Sequence, residues 1–330
     1  MKPKFVIQWH ITHKCNLRCK HCYQEDYSKD LEEEVLVGIF EQCKAFLDEN
    51  HFFGHFNFTG GEPLLSPALW RLLDLCEANG NTFGILTNAT LLNEETVDRL
   101  ASYNRIRFVQ ASVDGTKERH DAIRGEGSFE RTMHGLELLR KKGIQTMVSF
   151  TCSKENQTEL KDVIRLCEKN KIDRFWTDRL VPIGNNELTC MSTEEYAAFL
   201  KVLGRESRRA AFLPWINTTI HTNRAMQFIC NKKECGYMCS AGKRLLAILA
   251  DGTILPCRRL PFVLGNATES PIVEIMSNNP VLKEIFSTED PQECQQCNYR
   301  KKCHSGAKCL TYAVKGKLSE KDINCWKNRE

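Results

Sequence analysis

Apolar and polar positions alternate with a regular beat over the first two-thirds of the chain. Short runs rich in β-branched and aromatic residues, at 5–12, 52–58, 82–87, 107–113, 146–152 and 175–181, have strand length and composition. Between them apolar residues recur at helical spacing over 31–49, 67–78, 94–102, 129–142 and 157–170, and over 193–209 after the last strand. Six strand-then-helix units predict an α/β fold, a parallel sheet with right-handed crossovers. A partial or complete barrel is favoured over an open sheet if function converges on one rim.

The unusual polar and glycine-rich segments do fall just after strands. The first strand is followed by Cys15, Cys19 and Cys22, spaced CxxxCxxC, and the second by Thr59-Gly60-Gly61-Glu62-Pro63. Two glycines let backbone approach a ligand closely, and a carboxylate can bind an amine. Thr87 and Asn88 follow the third strand, Ser112, Asp114 and Gly115 end the fourth, Asn156 follows the fifth, and Pro182 and Gly184 follow the sixth. Each segment alone is ordinary turn chemistry; in a parallel α/β architecture they share one face.

Composition changes this picture in one respect. A chain of 330 residues is long enough for two domains. Its net charge of +4, spread among nearly balanced acidic and basic residues, makes no electrostatic case for nucleic acid or a membrane surface. No stretch approaches the roughly 18 apolar residues of a spanning helix, so the chain reads as cytoplasmic. There, 17 cysteines are better evidence for metal than for disulfides. Three form the N-terminal triplet and nine lie between Cys230 and Cys325, while Cys43, Cys76, Cys152, Cys167 and Cys190 stand in mostly apolar surroundings and read as core. Three thiolates can hold three irons of a [4Fe-4S] cube and leave the fourth open. Zinc is the rival, since His10, His13 or His21 could complete a tetrahedral site.

The triplet after the first strand, with GGEP after the second, resembles the radical S-adenosylmethionine (radical SAM) superfamily over about residues 4–210. The resemblance implies a partial (β/α)6 barrel of TIM type and a cluster whose open iron chelates the methionine amino and carboxylate groups. It also implies reductive cleavage to a 5'-deoxyadenosyl radical that abstracts a substrate hydrogen, with the electron coming from a flavodoxin- or ferredoxin-type reductant. Carried over by position, Cys15, Cys19 and Cys22 would ligate the cluster, and Gly60, Gly61 and Glu62 would meet the methionine amino group. Asn88 and Ser112 would lie against the cofactor, Ser112 near the ribose or carboxylate, and Arg124 would pair with the carboxylate. His21 stands where many relatives place an aromatic residue beside the adenine.

The C-terminal third carries a second signal. Cys239-Ser-Ala-Gly242 is followed by Ala250-Asp-Gly252-Thr-Ile-Leu-Pro-Cys257, a hairpin-like DG turn between cysteines, and then by Cys294-x-x-Cys297-x5-Cys303, Cys309 and Cys325. Zinc ribbons share such spacings. The stretch is similar to the SPASM extension behind radical SAM barrels, which binds auxiliary [4Fe-4S] clusters. The domains implied are a barrel over 1–210, a connector over 211–234 and a small, loop-rich iron-sulfur domain over 235–330. One departure matters: where the pattern expects a further cysteine four positions after Cys303, Ala307 stands, and Cys309 comes two positions later. A near auxiliary cluster would use Cys239 and Cys257 with Cys235 and Cys309, Cys230 competing, or would keep an open iron. A far cluster would use Cys294, Cys297, Cys303 and Cys325.

No catalytic side chain is singled out, and the substrate is the least legible feature. Proteins of this layout commonly modify peptides, by crosslinks, thioethers or oxidation to formylglycine; others act on tetrapyrrole side chains. A peptide substrate is expected here. With the barrel starting within five residues of the N-terminus, a separate leader-peptide-binding partner, or the barrel mouth and connector (Phe212, Trp215, His221, Phe228), would bind it. An electron carrier or sensor is the reading from another class, and it leaves GGEP without a purpose.

Overall fold

The computed structural model describes residues 2–25, 27, 30–184, 186–230 and 237–326. Strands β1 (Lys4–His10), β2 (Phe53–Thr59), β3 (Thr82–Thr87), β4 (Ile106–Ser112), β5 (Thr146–Cys152) and β6 (Arg174–Arg179) pair in parallel, each with the next. Helices α1 (Glu33–Glu49), α2 (Leu69–Ala78), α3 (Glu94–Ala101), α4 (Lys117–Arg124), α5 (Ser128–Lys141), α6 (Leu160–Lys169) and α7 (Thr193–Phe212) connect or follow them. This is the partial barrel expected, curved around one polar face with helices outside. Among the described residues no helix is long and apolar enough to cross a membrane.

Strand alternation decides which side chains face the helices. On β1, Phe5, Ile7 and Trp9 are buried in the main core, where Phe5 meets Phe46 of α1 at 5.2 Å and Trp9 meets Phe58 of β2 at 6.1 Å. Gln8 and His10, half-buried, take the opposite face. On β4, Val109 and Ala111 enter the core, whereas Gln110 accepts from the indole of Trp176 on β6 (2.9 Å) across the inner face. Cys43, Cys76, Cys152 and Cys167 are buried among apolar side chains, and Cys190 is half-buried.

Three features depart from expectation. Residues 117–124 form helix α4, which their strongly polar composition concealed. Residues 211–234, expected only to connect, contribute β7 (Thr219–His221), which adds to β6 in parallel and ends the sheet. In that stretch Phe228 is buried, whereas Phe212 and Trp215 are exposed. Beyond it, the hairpin of β8 (Leu245–Ile248) and β9 (Thr253–Leu255) turns at Asp251-Gly252 as expected. Yet β8 also pairs in parallel with β1, so with β10 (Gly265–Asn266) a ten-stranded sheet runs β10-β9-β8-β1-β2-β3-β4-β5-β6-β7. A short strand with two unpaired edges is costly alone; docking on β1 removes one of them.

The C-terminal cysteine-rich segment is also tied to β6 by charge. The Arg179 guanidinium donates to Asp322 (2.5 and 2.7 Å) and Asn324 (2.8 Å), all three residues being buried. Truncating one partner of such a pair leaves a bare buried charge. We expect Asp322→Ala to lower stability by about 3–5 kcal/mol, read from anaerobic denaturant unfolding, with weaker iron retention at the cysteines around it.

Candidate active site

The loop after β1 is held to the loop after β2 by backbone. Gly61 N donates to Thr12 O (2.9 Å) and Glu62 N to Lys14 O (2.8 Å). A Cβ on Gly60, whose φ is +151°, would stand 2.5 Å from Thr12 O, and one on Gly61 would stand 2.3 Å from Lys14 O and 2.9 Å from Cys15 Cβ. Only glycine permits that approach. Asp30 supports the same loop from the other side, accepting from Thr12 Oγ1 (2.7 Å) and His13 N (2.6 Å). Asn16 joins it to β3, donating to Thr90 Oγ1 and accepting from Asn88 Nδ2, both at 2.9 Å.

Glu62 is wholly buried. Its carboxylate accepts from Thr87 Oγ1 (2.6 Å), Asn88 N (2.8 Å) and Leu64 N (3.2 Å), bracing the end of β2 against the end of β3. Burial pushes its carboxyl up to about 7 in spite of those donors. What the GGEP segment offers to the open side is therefore backbone. Asn88 is likewise buried, its side chain engaged with Asn16 and Thr90. Ser112, half-buried, ends β4 on the same face as Gln110, opposite Ser149 of β5.

Cys15, Cys19 and Cys22 are half-buried and close enough to act on one another electrostatically. Burial raises the Cys15 thiol to about 11, with Glu62, Cys19 and Cys22 adding to the rise. Beside them opens a cavity of about 510 Å³ lined by Arg18, Cys19, Cys22, Tyr27, Gly184 and Glu187; that is ample for a nucleoside-sized ligand. His21 is buried at the edge of the triplet, its Nε2 3.4 Å from Asp114 and 3.3 Å from Arg124 Nη2, and burial holds its imidazole down at about 4. Arg124 is also buried, its Nε on Asp114 (2.6 Å) and its Nη1 on Cys19 Sγ (3.7 Å).

The auxiliary cysteines fall into two sets. Cys257 and Cys309, both half-buried, influence each other and Cys239, and desolvation raises both thiols, Cys309 to about 11. Cys235 lies outside the described residues. Cys230 is buried under α7, its thiol donating to Leu200 O (3.3 Å), and so belongs to the core. Cys294, Cys297, Cys303 and Cys325 act on one another in the same way, with Cys303 pushed by burial to about 12. Ala307 is buried against Leu310 and Val181, its N–H held by Asp322 (2.7 Å). Among the described residues no three His, Cys, Asp or Glu side chains converge tightly enough for a single metal ion.

Residues that sequence reasoning passed over connect the sets. Tyr23, just after the triplet, is half-buried within the electrostatic reach of both Cys22 and Cys257. Arg258 donates to Tyr23 O (2.6 Å) and Arg259 to Asp178 Oδ2 (2.5 Å), which Arg224 also approaches at 3.8 Å while lying over Trp176. Adjacency of the two arginines to Cys257 was the available signal.

A half-barrel that presents three half-buried thiols and a glycine-packed loop at one rim, with a cysteine-rich segment docked on its edge, defines an iron-sulfur enzyme. The chain carries a radical SAM domain, that superfamily's model matching residues 9–167, and a SPASM iron-sulfur cluster-binding domain, matching 239–299. Radical SAM domains use S-adenosylmethionine and a [4Fe-4S] cluster, and SPASM domains bind auxiliary clusters. The chain is 29% identical to the AdoMet-dependent heme synthase of Methanosarcina barkeri over 97% of its own length and 95% of that protein's. It is 25% identical to the antilisterial bacteriocin subtilosin biosynthesis protein AlbA of Bacillus subtilis, over 97% and 70%. Its fold superposes on native anSMEcpe with bound AdoMet and a Cp18Cys peptide with a TM-score of 0.81, at 20% identity, over 99% of this chain and 95% of that one.

Because a methyl group at residue 61 would meet backbone, Gly61→Ala should cost about 1–3 kcal/mol of stability and displace the cysteine loop. We expect about one third of the iron and sulfide to be lost after reconstitution, with the C-terminal clusters retained, measured by metal and sulfide analysis.

Proposed function

We propose that Cys15, Cys19 and Cys22 ligate the SAM-binding cluster, and that the protein modifies a ribosomally made peptide. The backbone at Gly60 and Gly61 and the cavity beside Cys19 and Cys22 would receive the cofactor, with Glu62 and Asn88 holding that backbone in place and Ser112 on the inner face. When bound, S-adenosylmethionine and the reduced cluster supply the radical that removes a substrate hydrogen. Cys239, Cys257 and Cys309, with Cys235, would hold the near auxiliary cluster. Cys294, Cys297, Cys303 and Cys325 would hold the far one.

The chain's own part is to bind, orient and exclude water. Such a radical is quenched by nearby C–H and S–H bonds, so the site has to be enclosed before cleavage. The half-barrel interior supplies walls from Gln8, Gln110, Trp176 and His10, whose imidazole burial holds down at about 3.

The observation that carries the peptide reading is β7. It ends the sheet, and in the chain it follows the exposed Phe212 and Trp215. An extended peptide can add to such an edge through main-chain hydrogen bonds. The kinship with AlbA and the peptide-bound fold of anSMEcpe support it. Modification of a tetrapyrrole side chain is the second reading, favoured by the near full-length similarity to the heme synthase.

Anaerobically reconstituted protein with dithionite should cleave S-adenosylmethionine to 5'-deoxyadenosine, and Cys19→Ala should lower this to background. A variant that turns over like the wild type would defeat the assignment. Iron and sulfide near 12 per chain are expected for three [4Fe-4S] clusters. A short peptide encoded beside this gene that stimulates 5'-deoxyadenosine formation supports the first substrate class; stimulation by an iron tetrapyrrole supports the second.

A further inference from the structure

Arg124 lies inside the protein, yet it reaches a cluster thiol. It ends α4, and that end is stitched to the cysteine loop by the Lys20 N to Ile123 O bond (3.0 Å). Three of its nitrogens each face a protein partner: Nε on Asp114 Oδ2 (2.6 Å), Nη2 beside His21 Nε2 (3.3 Å) and Nη1 donating to Cys19 Sγ (3.7 Å). Its side chain is 9% exposed and that of Asp114 1%. Asp114 is in turn fixed on every side. Its Oδ1 accepts from Thr151 N (2.9 Å), its backbone carbonyl accepts from Asn156 Nδ2 (3.0 Å), and its N–H meets His120 Nδ1 (3.3 Å). The guanidinium is thus aimed at the cysteine loop by β4, β5 and the turn after β5.

Resting on the reading that Cys15, Cys19 and Cys22 hold the SAM-binding cluster, we propose that Arg124 is a positioning residue for that cluster's electron affinity. Held by Asp114, it presents an N–H and a positive charge to the Cys19 thiolate and makes the cluster easier to reduce. Net charge and hydrogen bonds to the sulfurs are main determinants of cluster potential, and both act strongly in a buried, low-dielectric site. Adding one electron to the cluster, from dithionite in the test or a low-potential donor protein, increases its negative charge. A nearby cation therefore stabilises the reduced state. Asp114 opposes this in part, because the pair is neutral overall and only its positive end faces the sulfur.

That geometry predicts shifts of opposite sign. Asp114→Asn leaves the guanidinium uncompensated beside Cys19 and should raise the midpoint. The double variant Arg124→Met/Asp114→Asn removes donor and charge together without stranding a buried ion, and should lower it. The measurement is an anaerobic redox titration of the full chain, followed by the electron paramagnetic resonance signal that S-adenosylmethionine perturbs, which reports the open-iron cluster alone. About a tenfold change in the ratio of reduced to oxidised cluster at a fixed poise, or about 59 mV for one electron, is expected in each direction. Iron content should match the wild type.

Unchanged midpoints in both variants, or shifts of the same sign, overturn the inference while the cluster assignment stands. Absence in the wild type of any S-adenosylmethionine-perturbed signal, or its persistence in Cys19→Ala, overturns that assignment and the inference with it.

Discussion

The contact between the backbone at Gly60-Gly61 and the backbone of the cysteine loop is the constraint on which the rest of the site depends. A loop carrying three thiols has no regular structure of its own to hold it, and its polar groups need partners. The end of β2 provides them, two hydrogen bonds from Gly61 and Glu62 reaching across a gap that admits no side chain. The carboxylate of Glu62 then locks that strand end to Thr87 and Asn88 at the end of β3. Buried carboxylates are expensive unless hydrogen-bonded, and here the bonds keep two strand ends in register.

Buried charge recurs wherever the chain must be fastened to itself over long sequence distances. Arg124 and Asp114 bind α4 and β4 to the triplet, Arg179 and Asp322 bind β6 to the C-terminal segment, and Arg259 and Asp178 bind the strand bearing Asp178 to the loop after Cys257. Such pairs contribute little net stability compared with apolar packing, because desolvation offsets their attraction. Their value here is geometric: each specifies one arrangement. Together with the parallel pairing of β8 on β1, they make the cysteine-rich segment a continuation of the barrel wall, with Tyr23 lying between the triplet and Cys257.

Much of this was legible along the chain. The six strands and their helices announced themselves by period, and the predicted strand at 82–87 coincides with β3. What was hidden had identifiable causes. Helix α4 is short and almost entirely polar, so it lacks the apolar stripe that periodicity detects. Strand β7 is three residues long, too short to carry a period at all. Glu62 was legible as a functional carboxylate, but nothing local says that its oxygens turn inward to Thr87, Leu64 and Asn88. The pairing of Arg124 with Asp114 was hidden because Asp114 stands ten positions away and meets it only when α4 folds back over β4.

By itself, then, the order of residues determined the chemistry: thiols at cluster spacing after a first strand, paired glycines after a second, and more thiols behind, because covalent spacing and strand periodicity are properties of the chain. Tertiary structure alone decided how those groups are used. It consigned Cys230 to the core, made Glu62 a brace between the ends of β2 and β3, and set a guanidinium against Cys19. The physical reason is that burial and charge pairing depend on which distant segments come to lie side by side, and that is a property of the packed molecule.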